Sequence, residues 1–233
     1  MNLVTYSNIK TKLQNDLDLM DEDFVTEAEL LGYMNEAIDD AETLIHTLGI
    51  EARYFLTTDT LTLVNGTSDY DMPSDIYANK LVKVFYINGS SKYEIPRVRD
   101  LATIPFFQSG ENYQYLVFNL TAGVKQRFYP TPAEAGAYIQ RYYIRNVRAL
   151  TTSTASTNTC EIPECINFLY QHVKMRVYEK EGNPNLMKAI QDVKIQYELM
   201  GQTLREMVPD GNDAVQFDLS FYEDMFDATA LGG

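Results

Sequence analysis

The apolar residues of this 233-residue chain change their spacing twice, and that double switch constrains the fold more than any short motif. From residue 5 to 48 they recur every three or four positions, from 53 to 148 they alternate every second position, and from 163 to 207 the helical spacing returns. A period near 3.6 buries one stripe of a helix, and a period of 2 buries one face of a strand. The pattern therefore predicts an α+β chain: an antiparallel helical bundle of two N-terminal and two C-terminal helices, a β-rich insertion, and an extended C-terminal tail. Expected boundaries are one domain over 1–207, with helices inside 5–48 and 163–207 and the insertion at 53–148, and a separate acidic tail over 208–233.

Local signals sharpen these limits. Tyr6, Ile9, Leu13 and Leu17 mark a first helix over 5–19. Thr26 and Glu29 have the spacing of a capping box, in which hydroxyl and carboxylate satisfy free amides of a helix start, and Gly49 is placed to end that helix. A second helix over 27–48 follows. Strands are expected near 53–57 and 60–64, with Asn65-Gly66 as a turn and a further strand after it. A hairpin is expected from 81–87 into 92–95 across Asn88-Gly89, a helical turn or two over 98–104, a pair from 113–120 and 125–129, and a long aromatic strand over 138–148. Pro163 suits a first helical turn, and Gly182-Asn183-Pro184 separates helices over 163–181 and 185–207 closely enough to make them antiparallel. Residues 150–159, LTTSTASTNT, read as a polar loop.

Charge is segmented. Residues 1–48 hold 11 acidic and two basic side chains, residues 80–148 hold four and ten, and residues 208–233 hold six and none. A total of -14 disfavours general nucleic-acid binding through phosphate neutralisation. Segmentation suits a protein whose faces meet different neighbours. Within the basic middle, Lys80, Lys83, Lys92, Arg97, Arg99, Lys125, Arg127, Arg141, Arg145 and Arg148 interleave with Phe85, Tyr86, Tyr93, Phe128, Tyr138, Tyr142 and Tyr143, as on a single-strand-binding surface. Strand alternation turns many of those aromatics to a core, which favours salt-bridged self-assembly instead.

Catalytic chemistry finds little footing. Neither glycine-rich phosphate cradle is present. His46 and His172 fall on separate predicted helices, without a nucleophile elbow. Cys160 and Cys165 match neither zinc nor redox spacing and read as ordinary thiols in a reducing compartment. Asp16, Asp18 and Glu27 occupy positions 1, 3 and 12 of a calcium loop, but Met20 stands at a ligand position and Asp21 at the obligatory glycine. The opening residues lack a signal layout and no apolar run is long enough to span a bilayer, so a soluble intracellular product without membrane contact is expected. The reading is non-enzymatic, with no catalytic, cofactor-binding or metal residue assigned.

Several short stretches occur in a telling order: Phe24, then Glu29-Leu30-Leu31 and Met34-Asn35-Glu36-Ala37, then Tyr70-x-Met72-Pro73, then Tyr129-Pro130-Thr131-Pro132, Tyr142-Tyr143 and Glu161-Ile162-Pro163. Over residues 5–207 this order resembles the head-to-tail adaptor (connector) proteins of tailed bacteriophages, of the short-tailed phage adaptor or tail tube type. The resemblance implies a structural virion protein made in the bacterial host cytoplasm, assembled as a homo-oligomeric ring, commonly of twelve copies, beneath the portal protein. Such a ring extends the channel for double-stranded DNA and gives tail tube or nozzle proteins a platform. Phe217, Leu219, Phe221, Tyr222, Met225 and Phe226 in the tail are then anchors onto the portal or a neighbouring subunit. Other readings are a tail-side tube or gatekeeper subunit, a virion-associated enzyme using paired carboxylates, and a single-stranded nucleic-acid binder.

Overall fold

The computed structural model describes residues 3–17, 24–89, 91–98, 113–120, 123–133 and 137–208. Their fold is α+β, in two compact units: one formed by the chain up to Tyr54 and again from Val147, the other by Phe55–Asn146.

The first unit is helical. α1 (Tyr6–Asp16) is capped by the Thr5 hydroxyl and buries Tyr6, Ile9 and Leu13. α2 (Glu27–Leu48) carries the expected capping box at Thr26 and Glu29 and stops at Gly49, whose φ of 70° lies in the left-handed region that glycine enters without strain. Its buried residues, from Leu30 through Met34, Ile38, Ala41 and Ile45 to Leu48, form the single stripe legible in the sequence. A 3-10 turn, Pro163–Cys165, precedes α3 (Ile166–Glu181), and Gly182 ends α3 as Gly49 ends α2. α3 packs against each of the other three helices of this unit, so Phe168, Leu169, Val173, Met175 and Val177 are spread over more than half of its circumference. A link of four residues leads to α4 (Leu186–Arg205), which buries Ala189, Ile190, Val193, Tyr197, Met200 and Leu204 on one face.

Loop 150–159 is held by named bonds. The Asn35 side chain of α2 donates to the Leu150 carbonyl (3.1 Å) and accepts from the Leu150 amide (2.8 Å). Asn158 folds the loop on itself by donating to the carbonyls of Thr151 (2.7 Å) and Ser153 (2.6 Å) and accepting from the Thr151 amide (3.2 Å). The chain start lies along it, with Tyr6 N donating to Asn158 O (2.8 Å) and Cys160 N to Val4 O (3.0 Å).

The second unit contains two antiparallel sheets. One has the order β1 (Leu56–Thr62), β7 (Tyr138–Arg145), β3 (Ile76–Asn88), β4 (Ser91–Glu94); the other has β2 (Asp69–Asp71), β6 (Gly123–Tyr129), β5 (Gln114–Leu120). Their shared core comprises Leu63, Tyr70, Val84, Tyr86, Ile95, Tyr115, Phe128, Ala137 and Ile139, drawn from both sheets and the connections between them.

Two expectations need correction, and one stands with an addition. Residues 51–53 form a 3-10 turn, and the two strands expected at 53–57 and 60–64 are one strand, β1, because Asp59 in its middle meets Arg141 as its register partner on β7. Asn65-Gly66 does turn the chain, but the strand that follows, β2, pairs with β6 in the other sheet, so the turn passes the chain between sheets. The strand expected over 138–148 ends at Arg145, where Asn146 N turns to the Asp75 carbonyl (2.7 Å) and Val147 N to Glu42 Oε1 (2.7 Å). The helical turn expected over 98–104 lies almost wholly outside the described residues.

Candidate functional site

The residues with chemical potential do not converge. His46, on α2, lies 3.7 Å from Glu42 on its own helix. His172, on α3, is buried with Nε2 3.4 Å from Glu36 Oε2, and burial pushes its pKa down to about 4, so its imidazole is neutral at pH 7. The thiols of Cys160 and Cys165 are buried and touch at 3.5 Å; their contact pulls the Cys160 pKa down, while that contact and burial push Cys165 up. Glu27, the last position of the calcium-loop pattern, is engaged by Tyr6 (2.9 Å) and Lys10. Among the described residues, no group of three or more His, Cys, Asp or Glu could hold a metal ion, and no helix is long and apolar enough to cross a membrane.

The basic middle is matched within its own unit. Arg141, 4% exposed, donates to both carboxylate oxygens of Asp59, to the Asp71 carbonyl (2.7 Å) and to Gln126 Oε1 (3.3 Å). Arg127 makes a two-pronged pair with Asp69, holding that carboxyl below the usual carboxylate range. Lys125 pairs with Asp71, and Lys83 lies 3.6 Å from Glu94. Tyr86, Phe128 and Tyr143 are buried. Five of these cations have partners within the chain: Arg141, Arg127, Lys125 and Lys83 meet carboxylates, and Lys92 donates to Gln140 (3.2 Å) above the Phe85 ring. The matching acids, Asp59, Asp69 and Asp71, sit in the segment just before the basic stretch. That segment's negative charge was the available signal.

The motif residues turn out to be fasteners. Glu36 bridges α2 to His172 and to Arg176 (3.1 Å) on α3. Lys180 at the end of α3 donates to Glu29 (2.7 Å) and to the Phe24 carbonyl (2.7 Å), and that contact with the Thr26 bonds holds Glu29 down to about 2. The Tyr70 hydroxyl accepts from Val64 N (2.9 Å) and donates to Val64 O (3.3 Å), while its ring meets Phe128 edge-on at 5.7 Å. Glu161 accepts from Arg148 N (3.1 Å), and the Tyr143 hydroxyl donates to Asp75 (2.8 Å).

Among the described residues, the large apolar side chains that stay exposed are spread over several faces. On α4, Ile195 and Leu199 lie 51% and 47% exposed, opposite the buried stripe, and Met187 lies 43% exposed on its flank. In the four-stranded sheet, alternation turns Ile139, Arg141 and Tyr143 inward and Tyr138, Gln140 and Tyr142 outward, where Tyr142 meets Phe85 edge-on at 5.7 Å and Tyr138 and Leu56 are exposed. On the same unit, β3 is bulged between Ile76 and Lys83, with Ala78 and Asn79 at φ of 45° and 58°. For Ala78 this left-handed backbone costs roughly 1–2 kcal/mol, whereas Asn enters it more readily. The bulge forms one wall of a cleft of about 510 Å³. The tail anchors Phe217, Leu219, Phe221, Tyr222, Met225 and Phe226 lie outside the described residues.

The family model described as SU10 adaptor protein matches residues 4–218, and the chain belongs to that family of phage head-to-tail adaptors, structural components of the virion. A comparison with curated proteins gives no match.

Proposed function

We propose that the chain is one subunit of a ring of twelve copies that sits beneath the portal, extends the channel for double-stranded DNA and offers the tail its attachment platform. In this reading α1–α4 form an antiparallel bundle that makes the body of the ring, and the acidic segment 208–233 leaves it as an extended arm. Portal and tail tube or nozzle proteins are the partners; the protein catalyses nothing and needs no cofactor or membrane.

The observation that carries this reading, beside the family match, is the two-sided character of α4. A helix that needs only its own unit keeps one apolar face. α4 also exposes Ile195 and Leu199 on the opposite face, one turn apart, with Met187 on the flank, and covering each would stabilise a contact by about 1 kcal/mol. That face suits the neighbouring copy in a closed ring, where every subunit presents the same pair of surfaces. The acidic surplus of residues 1–48, 11 acidic against two basic, supports a wall past which DNA slides without adhering.

Ile195→Asp with Leu199→Asp tests the assignment. The expected outcome is a folded protein by circular dichroism whose mass in native mass spectrometry falls from ring to monomer. A double variant that still forms the full ring would contradict it.

A further inference from the structure

The only two cysteines of the chain are brought together in the helical unit by its backbone. Ile162 is kept out of the helical region by the proline that follows, with φ of -112° and ψ of 85°. Its carbonyl accepts from the Cys165 amide (3.1 Å) and from the Cys160 thiol (3.4 Å). One carbonyl at the bend thus gathers both residues, and their sulfurs, wholly buried, touch at 3.5 Å.

A bonded pair needs sulfurs about 2.05 Å apart, so a closure of roughly 1.5 Å by side-chain rotation would join them. The two cysteines belong to different pieces of structure. Cys160 ends the polar loop, with its amide on the Val4 carbonyl (3.0 Å) and Thr159 bridged to Thr5. Cys165 is the residue from which α3 starts. A bond between them ties the loop, and the segment paired with it, to the first turn of α3. The thiols also differ in readiness, since the contact with Cys165 favours the thiolate of Cys160. Burial shields both, but the loop leading to Cys160 is exposed from Thr151 to Thr157, and such segments open locally far more often than the whole unit unfolds. An opening of that kind admits a molecule the size of hydrogen peroxide.

We propose that Cys160 and Cys165 form a redox pair, free thiols while the protein is made in the reducing cytoplasm and a disulfide in the virion once it has left the cell. Disulfides persist on particles outside cells and are rare inside them. The Cys160 thiolate attacks one oxygen of hydrogen peroxide, giving a sulfenic acid and hydroxide, which takes up the proton the thiol released. The Cys165 sulfur then attacks the Cys160 sulfur: the S–S bond forms, the S–O bond breaks, and the hydroxyl leaves with the Cys165 proton as water. In sum two thiols lose two electrons and two protons, and one peroxide becomes two waters. This goes beyond the ring reading and does not depend on it.

The test starts from the full chain, reduced, freed of reductant and treated with a small excess of hydrogen peroxide at neutral pH. It is then denatured in N-ethylmaleimide and cut by a glutamate-specific protease. Cleavage after Glu161 and Glu164 puts the cysteines on separate fragments, which stay joined only through a disulfide. The expected product is lighter by two hydrogens, takes up no maleimide and gives joined fragments, and the helical unit unfolds roughly 5 °C higher. Cys165→Ser should stop at a Cys160 sulfenic acid that dimedone traps, whereas Cys160→Ser should leave Cys165 unmodified. In a second arm, purified phage particles opened in maleimide without reductant should give joined fragments, and infected cells treated with maleimide before lysis should give both thiols capped. Two reactive thiols surviving peroxide in the wild-type chain, fragments joined between two chains, or particles with both thiols capped would each overturn the assignment. A chain that stays monomeric but forms the bond fails the ring reading and leaves this one standing.

Discussion

Glu36 serves two partners at once: one of its carboxylate oxygens lies 3.4 Å from His172 Nε2 and 3.1 Å from Arg176 Nε. The carboxylate favours a charged imidazole, but burial of the ring, with Arg176 beside it, outweighs that attraction and sets the pKa of His172 to about 4 instead of 6.5. Because the folded state binds the proton less readily than the unfolded chain, its advantage is complete above pH 6.5 and shrinks as pH falls from 6.5 towards 4. At about 1.4 kcal/mol per pH unit, the helical unit should lose roughly 2 kcal/mol between pH 6.5 and 5. Denaturant unfolding at pH 6.5 and pH 5 checks this, with His172→Gln expected to flatten the difference even if less stable throughout; equal slopes for both proteins would refute it. Sequence reading recognised His172 as a helix residue among apolar neighbours, but Glu36 stands 136 positions earlier, and a pairing at that separation leaves no local trace.

Elements were legible wherever their ends are written in short-range chemistry. α2 runs over the expected 27–48 because Thr26, Glu29 and Gly49 act within one turn of the residues they cap. The hairpin of β3 and β4 and the pair of β5 and β6 were found for the same reason, since a turn joins partners adjacent in sequence. β1 was misread because a charged residue in mid-strand looks like a break until its partner is known, and the partner, Arg141, lies 82 residues away. That pair acts as a register clamp: a one-residue slip of β1 against β7 would move Asp59 to the opposite face of the sheet. Arg141→Met should therefore destabilise the β unit by about 3 kcal/mol, because it strands the Asp59 carboxylate. Adding Asp59→Leu should recover more than half of that loss, since replacing both charges removes the desolvation cost. Chemical denaturation of the two variants decides the matter; a single variant within 0.5 kcal/mol of wild type, taken as roughly the measurement error, would show the clamp to be idle.

At the scale of the whole molecule, charge segmentation was visible in the sequence but half its meaning was not. The acids at Asp59, Asp69 and Asp71 and the bases at Lys125, Arg127 and Arg141 neutralise one another inside the β unit, a cancellation only the sheet order reveals. Beyond these clamps, Ile195 and Leu199 of α4 stay exposed, and the sequence after residue 208 is acidic and rich in aromatics. Most of the short motifs whose order resembles the adaptor family fasten this fold, as Asn35 fastens Leu150 and Glu36 fastens α3.

The central claim is assembly, and the mass of the purified protein by native mass spectrometry, alone and mixed with the portal of the same phage, tests it most directly. A ring is expected, either in isolation or on addition of the portal, with stable association between the two. A protein that stays monomeric in both samples and leaves the portal's mass unchanged would contradict it.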